Sequence, residues 1–134
     1  MGADQVSVPS HPLQGAWRYV DATMDGKSTR PNGKGMIYYA PSGDMVCQVS
    51  PGHETKKAGA KPTPDEALAA LDGHIAYFGT YTIDEHAQTV THHRKGSVQP
   101  GDTADLVRRF TIAGDRLTLS PPGTTYEVKW ERIR

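Results

Sequence analysis

Two pairs of adjacent side chains carry most of the chemistry this chain offers. His92 and His93 lie in TVTHHRKGS (89–97), and Arg108 and Arg109 lie in DLVRRFTIA (105–113). A histidine titrating near neutrality can exchange a proton or hydrogen-bond a bound molecule. An arginine offers a permanent charge to a carboxylate or enolate. Both runs read as strands, where neighbouring side chains point to opposite faces, so one member of each pair reaches any given space. The two histidines therefore cannot share a metal ion, and no His-x-His or Cys-x-x-Cys spacing occurs elsewhere. Neither a metal nor a cofactor is expected. Six tyrosines accompany only two tryptophans and two phenylalanines. A buried tyrosine needs a partner for its hydroxyl, and an apolar wall with a few such polar tips describes a ligand pocket. Strands also favour tyrosine for packing alone. Cys47 stands alone and reads as a small core residue.

Short alternating runs joined by turn residues must position these groups. Gly15–Ala16–Trp17 opens the first run, roughly Gln14 to Ala22, and YEVKWERIR (126–134) forms the last. Between them MIYYA (36–40) turns through PSGD into MVCQVS (45–50), HIAYFGTYTID (74–84) pairs with TVTHHRKGS, and DLVRRFTIA turns at Gly114–Asp115 into RLTLS. Eight strands of this kind predict a small antiparallel barrel whose first and last strands meet. One helix is expected after residue 63: Thr63 is the N-cap, Pro64 suits the first position, Glu66 completes a capping box, and Gly73 stops it. MDGKSTRPNGKG (24–35) and PGHETKKAGAK (51–61) read as loops and, with the helix, as the frame of the barrel's mouth. Residues 1–12 read as a flexible arm and 13–134 as the barrel domain.

Propagating the period-2 pattern through the turns assigns faces. Leu106, Arg108, Phe110, Ile112, Leu117 and Leu119 look inward, as do Tyr77, Gly79, Tyr81, Ile83, Val90, His92 and Arg94. In the hairpin around PSGD the inward set reads as Met36, Tyr38, Met45, Cys47 and Val49. Tyr126, Val128, Trp130 and Arg132 share a face. A bulge in any strand would invert these assignments beyond it. An inward Arg108 in an apolar row needs a partner, either a ligand's carboxylate or enolate or an internal acid such as Asp21. His92 reads either as a satisfied core histidine or as a ligand-binding or acid–base group.

Composition narrows the classes. The 134 residues suffice for one domain with a core. Fifteen basic and fifteen acidic side chains cancel, and no basic face is available for nucleic acid. No apolar stretch suits a signal sequence or a membrane span, which predicts a cytoplasmic, soluble protein. No nucleophile elbow, phosphate loop or dinucleotide fingerprint is present. A homodimer is left open.

The segments LQGAWRYVD, GMIYYAPSGDM, TPDEALAALDGHIAYFGTY, TVTHHRKGS, VRRFTIAGDRLTLS and VKWERI, in this order, resemble the small bacterial and fungal lipocalin-like domain proteins. The likeness spans nearly all the chain after residue 12. It implies an all-β, eight-stranded antiparallel barrel enclosing a small hydrophobic or aromatic molecule. It also implies that Arg132 packs over Trp17 as a closure device, a contact that cation–π attraction favours. Some lipocalin-like barrels of natural-product pathways are isomerases or cyclases, which gives the alternative: a cofactor-free isomerase or cyclase acting on a polyketide- or terpenoid-like intermediate. The expected ligand-binding residues are Tyr38, Tyr77, Tyr81, His92, Arg108 and Tyr126, with His92 and Arg108 catalytic in the enzyme case.

Overall fold

The computed structural model describes residues 10–134. Most of the arm read at 1–12 thus lies outside the described residues. The elements run β1 (Gly15–Met24), β2 (Lys27–Ser28), β3 (Gly35–Tyr39), β4 (Asp44–Val49), α1 (Pro64–Leu71), β5 (Ile75–Asp84), β6 (Thr89–Ser97), β7 (Leu106–Ala113), β8 (Arg116–Ser120) and β9 (Glu127–Arg132). All neighbouring pairs are antiparallel, and β1 bonds both β3 and β9, so eight strands close on themselves. The ninth, β2, is a two-residue ribbon folded back on β1 through Asp25 and Gly26. Both turn residues have positive φ, 52° and 80°, as a type I′ hairpin demands.

Closure brings the chain's ends together. Trp17 opposes Arg132 across β1 and β9, and the Arg132 guanidinium lies 4.1 Å from the centroid of the buried Trp17 ring. The indole Nε1 donates to Leu13 O at 2.9 Å, while Arg132 donates to Gln14 O at 3.0 Å and Pro12 O at 2.6 Å. Leu13 is fully buried, and His11 stacks edge-on against Phe110. Together these residues plug one end of the barrel.

The hairpin β3–β4 corrects the face assignment. Tyr39 opposes Met45 and Ile37 opposes Cys47, and Ile37 and Tyr39 are buried with Met45, Cys47 and Val49. Met36 and Tyr38 stand outside. The physical reason is loop length. Asp44 O accepts from Ala40 N at 2.9 Å, so Asp44 belongs to the ladder and the connection is Pro41–Ser42–Gly43. Gly43, at φ 94°, closes this three-residue turn. A connection one residue shorter than PSGD exchanges the two faces of β3.

The inward sets read for β5, β6, β7 and β8 stand, although β5 and β6 carry a register shift. The register slips between Phe78 and Gly79, where a Cβ on Gly79 would sit 1.9 Å from His93 O. Gly79→Ala is therefore expected to force β5 and β6 apart and destabilise the barrel by about 1–3 kcal/mol, read from the urea midpoint. An unchanged midpoint would show that the ladder yields there freely.

α1 begins with the capping box read from the sequence: Glu66 N donates to Thr63 Oγ1 at 3.2 Å and Thr63 N to Glu66 Oε1 at 2.7 Å. The helix buries no residue. Hydrogen bonds to its C-terminal turn hold it in place, as described below. Among the described residues no helix is long and apolar enough to cross a membrane.

Candidate functional site

The plugged end leaves the other end of the barrel available, and a cavity of about 310 Å³ opens there. That lies at the small end of ligand pockets, roughly 300–1,000 Å³. Its apolar wall includes Ile37, Val49, Ile75, Leu106, Leu119 and Val128, with Cys47, Tyr77, His92, Arg108 and Trp130 among the polar-tipped groups. The mouth differs from the sequence expectation. Arg30 comes from the 24–35 loop as expected, but the other rim residues are His74, Gln99, Asp102 and Tyr126, and the 51–61 loop and α1 contribute no lining residue. The β6–β7 connection takes their place.

Two side chains tie this rim. Arg30 donates to Ser50 O at 2.8 Å and Gly73 O at 2.6 Å, joining the end of β4 to the segment after α1. Gln99 Nε2 donates to Leu71 O at 2.9 Å and His74 O at 3.2 Å. The bond to Leu71 O adds a second donor to the last carbonyl of α1, which also accepts from His74 N at 3.0 Å.

His92, only 1% exposed, occupies the centre of the polar interior. Tyr39 Oη lies 2.6 Å from its Nε2, and Tyr77 Oη 2.8 Å from its Nδ1. Burial, reinforced by the charges of Arg108 and Arg94, pushes the His92 pKa down to about 3, so the ring is neutral at physiological pH. Burial likewise raises Tyr39 and Tyr77 well above the ordinary tyrosine range and Cys47 to about 12. A neutral imidazole has one N–H and one acceptor nitrogen. Two hydrogen bonds therefore use two of the three available protons, and the tyrosine that accepts keeps a spare O–H. Tyr39 is fully enclosed and does not line the cavity, whereas Tyr77 does. The economical assignment has Tyr39 donating to Nε2 and Nδ1–H donating to Tyr77. The spare Tyr77 proton is then free for Cys47, its hydrogen-bonding neighbour, or for a bound molecule.

The cations near the cavity differ sharply. Arg94 is paired: it donates to Asp102 Oδ1 at 2.8 Å and Ala104 O at 2.7 Å, and its guanidinium lies 5.6 Å from the Tyr77 ring centroid. Arg108 makes one hydrogen bond, to the carbonyl of its own neighbour Val107 at 2.9 Å, and no ion pair among the described residues. Asp21, the internal acid considered as its partner, instead accepts from Ala22 N at 2.9 Å and Ser28 Oγ at 2.7 Å.

Four of the expected site residues, Tyr77, His92, Arg108 and Tyr126, line this cavity. Tyr38 does not: it is 39% exposed on the outer face, for the loop-length reason given above. Tyr81 points inward but is not among the lining residues. It is buried beside Tyr39 at a centroid distance of 5.0 Å, donates its hydroxyl to Ala40 O at 2.7 Å and accepts from Gln14 Nε2 at 3.3 Å. It belongs to the plugged end. Sequence reasoning missed Tyr39, which Gly43 as the last residue of a three-residue turn could have revealed. It also missed Arg30 and Gln99, whose roles depend on loops brought together only by folding. Among the described residues, no group of three or more His, Cys, Asp or Glu is placed to hold a metal ion.

A closed antiparallel barrel, plugged at one end and hollow at the other, is the architecture of a lipocalin-type small-molecule binder. A model of the lipocalin-like domain family matches residues 14–133, and the chain belongs to that family. No curated protein and no solved structure matches it significantly.

Proposed function

We propose that the barrel binds one small hydrophobic or aromatic molecule in the cavity behind Arg30 and Gln99. The observation that carries this reading is a cavity of about 310 Å³, open at its mouth, that joins an aliphatic wall of Ile37, Val49, Ile75, Leu106, Leu119 and Val128 to polar side chains. Binding needs only shape, apolar surface and orienting groups. The titrating groups support binding over proton transfer. A histidine at about 3 is a weak base at neutral pH, and efficient acid–base catalysts titrate near the working pH.

The isomerase or cyclase alternative draws on Arg108, whose unpaired charge would stabilise a developing enolate oxygen. Each such preorganised donor contributes about 3–4 kcal/mol in known sites. Native mass spectrometry of the purified protein, followed by extraction of the bound molecule, tests both. The expected result is one unaltered apolar molecule per barrel. A molecule that changes structure on incubation with fresh protein would replace the binding reading with the enzymatic one.

A further inference from the structure

Three arginines line this cavity: Arg30 is held by two carbonyls and Arg94 by Asp102, which leaves Arg108. Arg108 offers guanidinium N–H groups and has no acid to neutralise it among the described residues. With Nδ1–H of His92 donating to Tyr77, the Tyr77 O–H turns to Cys47 or to a bound molecule. Trp130 lines the same cavity, is 3% exposed, and its Nε1 is the one buried side-chain N or O without a partner among the described residues. That Nε1 has no accessible surface, so the donors a bound molecule can reach are Arg108 and Tyr77. The mouth's carboxylate, Asp102, is already held by Arg94. The Arg108 charge also reaches the inner groups, since it bears on Tyr39, Cys47, Tyr77 and His92. A half-buried cation beside an aliphatic wall is costly unless something pairs with it. One kind of occupant relieves that cost: a molecule that brings acceptor oxygen and negative charge to Arg108.

We infer that the ligand is an apolar or aromatic acid, with its ionised carboxylate or acidic enol seated on Arg108 and accepting from Tyr77. This assignment rests on the reading of the cavity as a hydrophobic binding site and adds the chemistry of the head group. Arg108 is then the specificity-determining residue, while the aliphatic wall supplies affinity without discriminating charge. Neutral His92 acts as a positioning residue that fixes the direction of the Tyr77 hydroxyl.

The test uses two probes of the same ring and size, 1-naphthoic acid and 1-naphthamide, titrated calorimetrically into the full chain at pH 7. The wild type is expected to bind the acid about tenfold to a hundredfold more tightly than the amide, the range for a hydrogen bond to a charged group. Arg108→Gln is expected to remove that preference by weakening the acid more than the amide, whose carbonyl accepts from the guanidinium but carries no charge. Arg108→Lys, which keeps the charge without the fork, should retain a reduced preference. Equal affinities of the wild type for the two probes would overturn the assignment while leaving the hydrophobic cavity standing, and this comparison needs no variant to fold. A preference that survives Arg108→Gln would also overturn it. If neither probe bound the wild type, the aromatic-cavity reading would fall and the head-group assignment with it.

Discussion

Replacing Trp17 by alanine is expected to be the most damaging single substitution in the barrel, at about 3–5 kcal/mol for the buried ring alone. Trp17 has no exposed surface, so its removal leaves a cavity beside Leu13 and Ile37, which are buried in the same core. Two further losses add to this. Leu13 O loses the donor that reaches it at 2.9 Å, and Arg132 loses the ring beneath its guanidinium at 4.1 Å, a contact that contributes about 0.5–2 kcal/mol. Small domains have only about 5–15 kcal/mol in total, so the variant should be partly unfolded at 37 °C. Trp17→Phe keeps the ring face and loses the N–H, and should cost less. Urea unfolding followed by circular dichroism gives the values. A Trp17→Ala barrel within about 1 kcal/mol of wild type would mean that the plugged end contributes little, against the usual cost of emptying a core.

Acid should weaken the fold through His92. Its folded pKa is about 3, below the unfolded value near 6.5, so between these values the unfolded chain binds the extra proton. Stability is then full above pH 6.5 and falls as the pH drops towards 3. The loss approaches about 1.4 kcal/mol per pH unit, or roughly 4–5 kcal/mol across the window. The cause is mainly burial, with Arg108, Arg94 and His93 adding repulsion. His92→Gln isolates this contribution from the carboxylates. Glutamine still offers a donor and an acceptor to Tyr39 and Tyr77, so the variant should be about 1–3 kcal/mol less stable at pH 7. Lacking the titration, it should lose less stability on acidification, and the two curves should meet near pH 5, about where the wild type's acid loss equals the variant's deficit. Parallel curves from pH 7 to 4 would mean that His92 takes its proton inside the fold without penalty.

The two ends of the barrel separate stability from affinity. Trp17, Arg132, Leu13 and Tyr81 hold the plugged end, so their changes should move stability. Arg108, Tyr77 and Tyr126 line the hollow end, where a change of head-group chemistry should move affinity instead. His92 belongs to both. It is buried in the core and also lines the cavity, which is why its substitution should alter stability and the orientation of Tyr77 together.

Local physics decided what was legible in the amino-acid order alone. Strict alternation placed Arg108 and His92 inward, because a strand's side chains repeat every two residues. Thr63, Pro64 and Glu66 marked the start of α1 through bonds that span only three residues. The packing of Arg132 over Trp17, implied by the family resemblance, is the contact that closure makes. Tertiary structure decided what depends on a count or on a meeting. One residue of turn length put Tyr39 inside and Tyr38 outside, since a hairpin's register follows its loop. Whether Arg108 had an acid to pair with could not be read from its own strand. Asp21 was occupied by Ser28, and Asp102 came across the β6–β7 connection to Arg94. The rim at Arg30 and Gln99 joins segments distant in sequence, and only closure of the barrel brings them to one opening.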